Sequence, residues 1–331
     1  MLRSVFPQKT LSFLWTTVNQ GAANRKRRWL VRGAKWLILL AVLWGVAHTV
    51  QQAIPGLRQS RWQLHPWWLL LAGALYLVGL LPSAVFWHRV LSALGQRPSW
   101  LETFRAYYIG HLGKYVPGKA LVVVLRTMLV RGHRVDTPVA AMSVFYETLT
   151  MMSVGALVAA AVIAVRFRHH GWLAAVAVLL MFAAGLPTIP AVFAWLVRLM
   201  RIERFQPGLA ASLRRLDPLS LIAGWAGIAL GWAVIGLSLW ATLRGLGADA
   251  RLPEDAPLCI ASAALAVVAG FLSMIPGGAV VREAVLLELM APRFGEAAAL
   301  SAALMLRVVW LLAELSVSVI LYLWPEAGGS A

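Results

Sequence analysis

The chain has 331 residues, of which 60% are hydrophobic and 13% charged, with a mean hydropathy of +0.75. Soluble domains carry about 25% charged residues, so a soluble globular protein is excluded. The apolar residues fall in long blocks instead of alternating, which excludes a β-barrel and predicts an all-α polytopic membrane protein. Lys and Arg number 30 against 13 Asp and Glu, a net charge of +17. In a membrane protein this excess matches an anionic lipid surface, and no nucleic-acid partner is expected.

In chain order, residues 1–33 form a basic arm that includes Arg25-Lys26-Arg27-Arg28. A first span follows at about 34–54 and a second at about 67–87, opened by Pro66-Trp67-Trp68. Further full spans are predicted at about 139–165, 172–199, 218–242 and 298–324, before a short tail over 325–331. The span at 172–199 contains Pro187 and Pro190 and should kink there. Two apolar regions do not fit a simple crossing. Residues 101–131 are broken by Tyr115-Val116-Pro117-Gly118-Lys119, and residues 256–291 by Ile275-Pro276-Gly277-Gly278. Each half is too short to cross a bilayer, so each region reads as a re-entrant helical hairpin, with a kinked full span as the alternative.

Charge arithmetic sets the topology. With a cytoplasmic N-terminus, fifteen Lys and Arg fall on the inner side and six in the outer loops. The bias predicts six full spans with both termini cytoplasmic. The first hairpin then enters from the cytoplasm and the second from outside. Each half, about 34–165 and 172–324, reads span, span, hairpin, span in opposite orientations. That is an inverted-topology repeat, an arrangement of transporters that present one site to two sides.

Three sets of residues could carry chemistry. The first is Tyr107, His111, Lys114, Tyr115, Pro117, Gly118, Lys119 and Arg126. A Pro-Gly turn frees backbone N–H groups, helix N-termini favour an anion, and an Arg fork suits a phosphate. The alternative for Lys114 and Lys119 is anchoring at the headgroups. The second set is Pro276, Gly277, Gly278, Arg282 and Glu283. There Arg282 would face a lipid headgroup, and Glu283 would either steer it or lock the hairpin through an ion pair. The third is Glu147, Arg307 and Glu314, ionisable groups within spans, where such residues usually face a protein interior or cavity. Arg307 and Glu314 are two helical turns apart and share a face. Glu147 could counter Arg126 or Arg282, or bind a proton that drives transport. The single Cys259 and the scattered histidines have no metal-ligand spacing. No metal, cofactor or catalytic residue is expected, and an enzyme is not.

The ordered motifs Lys114-Tyr115-Val116-Pro117-Gly118-Lys119 with Arg126, Pro276-Gly277-Gly278 leading to Glu283, and Leu306-Arg307 resemble the lysylphosphatidylglycerol synthase transmembrane family over about 30–324. This is a flippase-like membrane region also found as a stand-alone protein. The resemblance implies a bacterial or archaeal inner membrane, and lipid translocation or a lipid-linked glycan or hopanoid pathway. The sequence departs from the family pattern at two places. Val280 stands near a position usually held by Gly, and Thr148 follows Glu147 where the family often has Arg. The soluble aminoacyl-transferring domain of long members is not in this sequence, so lysyl transfer is not expected.

The expected function is transport of an anionic or phosphate-bearing lipid, a phospholipid or a polyprenyl-phosphate-linked sugar, held by Arg126 and Arg282 with help from the two Pro-Gly tips. The alternatives are an accessory subunit serving a glycosyltransferase or other lipid-modifying partner, and a membrane-embedded lipid transferase.

Overall fold

The computed structural model describes residues 64–115, 120–130, 135–166, 185–199, 217–273, 275 and 278–324. The basic arm, the first predicted span, the start of the fourth, His169-His170 and the tail lie outside these residues, as do Pro117, Gly118, Lys119, Pro276 and Gly277. The described part is all-helical. Its α-helices are α1 (Pro66–Ala93), α2 (Trp100–His111), α3 (Ala120–Val130), α4 (Thr137–Arg166), α5 (Pro190–Leu199), α6 (Pro218–Gly245), α7 (Ala256–Leu272), α8 (Val281–Phe294) and α9 (Glu296–Leu323).

Four of them, α1, α4, α6 and α9, are long and apolar enough to cross a membrane. A 28-residue helix is about 42 Å long, ample for a hydrocarbon core of about 30 Å. They coincide with the second, third, fifth and sixth predicted spans to within a few residues at either end. The fourth is described only from Gly185. It has a 3₁₀ turn over Leu186–Thr188, an extended Ile189 and a fresh helix from Pro190, the interruption its two prolines predict.

Local sequence accounts for several helix ends. α2 starts with a capping box, in which Glu102 N–H donates to Ser99 Oγ at 3.1 Å and Ser99 N–H to the Glu102 carboxylate at 2.6 Å. α6 starts at Pro218 behind Asp217, whose carboxylate accepts from Ser220 N–H at 3.0 Å. α8 and α9 meet at Gly295, whose φ of +83° most side chains would resist.

The core of the bundle is the pairing of α1 with α6. Phe86 meets Gly224, Gly79 meets Gly231 and Leu69 meets Gly245, so the helices run antiparallel. Ser238 Oγ donates to the Ala72 carbonyl at 2.7 Å on the same seam. Residues 224, 231, 238 and 245 are thus small residues seven apart on one face of α6. A Cβ on Gly231 would lie 2.5 Å from the Gly79 carbonyl oxygen, which is too close to exist. Helices in lipid gain little from apolar burial against one another, and close backbone approach through small residues replaces it.

The short helices pair as well. Gly110 lies against Arg126 and Gly113 against Val122, so α2 and α3 pack antiparallel. Gly270 lies against Gly278 and Arg282, and Arg293 bonds Asp255 at 2.9 Å, so α7 and α8 do the same. α2 packs on α9, the helix after the other pair, and α7 packs on α4, the helix after the first pair. Contacts among these eight helices keep their pattern when α1 is exchanged with α6, α2 with α7, α3 with α8, and α4 with α9.

Candidate functional site

A cavity of about 520 Å³ lies between the two short-helix pairs. α3 supplies Val122, Val123 and Arg126, α7 supplies Val267, Gly270 and Phe271, and α8 supplies Arg282, with Gly278 just before it. Tyr76 of α1, Glu147 and Thr148 of α4, Trp232 of α6 and Trp310 of α9 complete the wall around further apolar side chains.

Most of the polar groups form one connected cluster. Arg126 is 2% exposed and Glu147 0%, and their side chains bond at 2.5 Å. Glu147 also accepts from Tyr107 Oη at 3.2 Å and Thr148 Oγ1 at 3.3 Å, while the Arg126 guanidinium lies 3.9 Å from the Tyr107 ring centre. Its other arm donates to His111 Nδ1 at 3.2 Å, which fixes that nitrogen as the acceptor. His111 Nε2 lies 3.8 Å from the Glu314 carboxylate. Glu314, fully buried, accepts from Lys114 and from Tyr76. Lys114 also donates to Tyr76 Oη at 2.9 Å and sits over the Tyr115 ring at 5.1 Å. Tyr76 stacks on Trp310 at 4.3 Å, and Arg282 lies over the other member of that stack, 4.9 Å from the Trp310 ring centre. A third ion pair joins Arg307 to Glu283 at 3.0 Å.

The outcome for each expected residue follows from these contacts. Glu147, which the sequence leaves without an adjacent basic partner, takes Arg126 from the neighbouring helix. Glu283 pairs with Arg307 and leaves Arg282 to the cavity, because adjacent residues on a helix point about 100° apart. Arg307 and Glu314 are both buried, yet each serves a different short-helix pair, Arg307 the second and Glu314 the first. Lys114, 21% exposed, is held inside by Glu314. Gly278 lines the cavity beside Arg282. Pro117, Gly118, Lys119, Pro276 and Gly277 lie outside the described residues.

Tyr76 and Trp310 escape the sequence reading. The only signal for Tyr76 was a phenol in the middle of an apolar span, and Trp310 gave none beyond a Trp far from a span end.

Glycines place both cavity arginines. A Cβ on Gly110 would lie 2.4 Å from Arg126 Cγ, and a Cβ on Gly270 would lie 2.6 Å from Arg282 Cγ. In each short-helix pair the first helix thus gives up a side chain to let the second helix's arginine pass. Just before α8, Val280 has φ +67° and ψ −48°, and Val281 N–H donates to the Ala279 carbonyl at 2.8 Å. That is a γ-turn centred on a β-branched residue, a strained conformation.

Apolar helices of bilayer length around a charged, apolar-walled cavity define an integral membrane protein. The chain belongs to the lysylphosphatidylglycerol synthase TM region family, whose model matches residues 34–315. No curated protein and no solved structure matches the chain.

Proposed function

We propose that the chain is a flippase-like transporter that moves an anionic or phosphate-bearing lipid, a phospholipid or a polyprenyl-phosphate-linked sugar, between membrane leaflets. The cavity carries this reading. Its apolar wall suits lipid tails, and its cluster of Lys114, Arg126 and Arg282 suits a phosphate. Arg126 Nε is buried and has no acceptor among the described residues, so a donor is left for a bound anion.

In this reading the protein has six full spans, and the α2–α3 and α7–α8 pairs are re-entrant hairpins. α3, with 11 residues, is about 16 Å long and cannot cross the hydrocarbon core. The exchange pattern of helix contacts, with α1 and α6 antiparallel, supports an inverted repeat. The termini face the cytoplasm of a bacterial or archaeal inner membrane. The chain acts as a carrier without catalysis, and an enzyme that makes or uses the lipid is its natural partner.

Mass spectrometry of co-purifying lipids tests the reading. The Arg282→Ala variant is the cleanest comparison because, among the described residues, Arg282 has no ion pair to break. A phosphate-bearing lipid should be enriched with the wild type and lost from that variant and from Arg126→Ala/Arg282→Ala. Identical, membrane-average lipid profiles in all three would overturn the reading.

A further inference from the structure

We infer that the cavity selects a headgroup with a single net negative charge, a phosphodiester, and that Arg282 sets that number. The inference rests on the lipid-carrier reading above and deepens it. Among the described residues, the cluster holds four cations, Lys114, Arg126, Arg282 and Arg307. Three carboxylates face them. Glu314 takes Lys114, Glu147 takes Arg126 and Glu283 takes Arg307. Arg282 faces no carboxylate among the described residues and lies over the Trp310 ring, which attracts a cation without neutralising it.

Among the described residues, one positive charge is therefore left over in a largely apolar cavity. Charges taken out of water are costly unless matched. A phosphodiester brings one negative charge and two free oxygens for the guanidinium fork. A diphosphate leaves at least one negative charge unmatched. An uncharged lipid leaves Arg282 unmatched. The Arg282 stem passes between Gly270 and Gly278, where a Cβ would come within 2.6 Å and 2.7 Å of it, so the surplus charge has a built position. Phospholipids and polyprenyl-phosphoryl sugars share the phosphodiester and differ in their headgroup alcohols and their tails.

The test is calorimetric binding of short-chain lipids to the purified full chain. The probes are dioctanoyl phosphatidylglycerol, a short polyprenyl-phosphoryl hexose, a short polyprenyl diphosphate and dioctanoylglycerol. One or both phosphodiesters should bind the wild type at least tenfold more tightly than the diphosphate or the uncharged lipid. The tighter of the two names the lipid class. Arg282→Ala should lose that preference. Glu147→Gln, which leaves Arg126 without its carboxylate, should improve the diphosphate at least tenfold relative to the phosphodiester. Should Glu147→Gln fail to fold, Thr148→Arg adds a cation to the cavity wall without breaking an ion pair and should shift the order the same way. A wild type that prefers the diphosphate, or added-charge variants with an unchanged order, would overturn the inference and leave the lipid-carrier reading standing. Phosphate lipids that bind no better than dioctanoylglycerol would overturn both.

Discussion

Gly270 and Arg282 are matched so closely that a single methyl group on the glycine would come within 2.6 Å of the arginine's Cγ, nearer than two carbons can pack. Gly110 bears the same relation to Arg126, at 2.4 Å. Gly270→Ala should therefore behave as a displaced Arg282. Lipid retention should fall about as far as in Arg282→Ala, while overpacking costs about 1–3 kcal/mol of stability. Quantifying co-purified lipid together with the melting temperature checks this. Full lipid retention in Gly270→Ala would show that the arginine's position does not matter.

The two cavity arginines should separate sharply in their effect on stability. Arg126 is bonded to a fully buried Glu147, and removing one partner of such a pair costs about 3–5 kcal/mol. Arg282→Ala should lower the melting temperature far less than Arg126→Ala. Replacing both partners, as in Arg126→Leu/Glu147→Leu, should recover most of the stability lost in Arg126→Ala, because no charge is then left alone. Thermal unfolding of the wild type and the three variants in one detergent measures both effects. Equal destabilisation by the two single alanine variants would contradict the pairing.

Val280 offers a stabilising change. Its side chain is 71% exposed, so little burial is lost on removing it, and its positive φ stores about 1–3 kcal/mol of strain. Glycine adopts that φ freely but adds chain entropy to the unfolded state, about 0.5–1 kcal/mol. Val280→Gly should raise stability by about 1 kcal/mol. Val280→Ala should not, because its Cβ keeps the conflict with the backbone. A melting temperature that rises equally for both would assign the effect to the lost isopropyl group instead.

The α1–α6 seam predicts opposite fates for two glycines of one helix. A Cβ on Gly231 would strike the Gly79 carbonyl oxygen at 2.5 Å, whereas a Cβ on Gly227 would meet only Pro82 Cβ at 3.7 Å. Gly231→Ala should cut the yield of folded protein severalfold and Gly227→Ala should leave it unchanged. Fluorescence-detected size-exclusion profiles of tagged variants distinguish the two.

The legible parts of this protein are those written along the chain. Four long helices lie where unbroken apolar blocks exceed the bilayer thickness, and both Pro-Gly breaks separate short helices that fold back on each other. Arg126 and Arg282 stood out because a cation amid apolar neighbours needs a reason. Glu147 with Arg126 was one of two pairings the sequence offered, and the structure shows it. The pairings of Lys114 with Glu314 and of Arg307 with Glu283 were not legible, because they are decided by packing between distant segments. Lys114 and Glu314 are 200 residues apart, and no spacing rule connects them. Tyr76 and Trp310 escaped for the same reason, since a ring in an apolar helix looks like core until its neighbours are known. The small residues at 224, 231, 238 and 245 were readable in principle, because a spacing of seven is two helical turns and marks one face.

The crossed packing, with α2 against α9 and α7 against α4, has a consequence for synthesis. A ribosome delivers α2 and Lys114 to the membrane well before α9 and Glu314 exist. Without α9, Lys114 keeps Tyr76 as a neighbour and loses Glu314, the carboxylate with which it is paired. The arrival of the last described helix therefore does two things at once. It closes the wall that α2 leaves open, and it delivers the counter-ion that lets Lys114 settle inside.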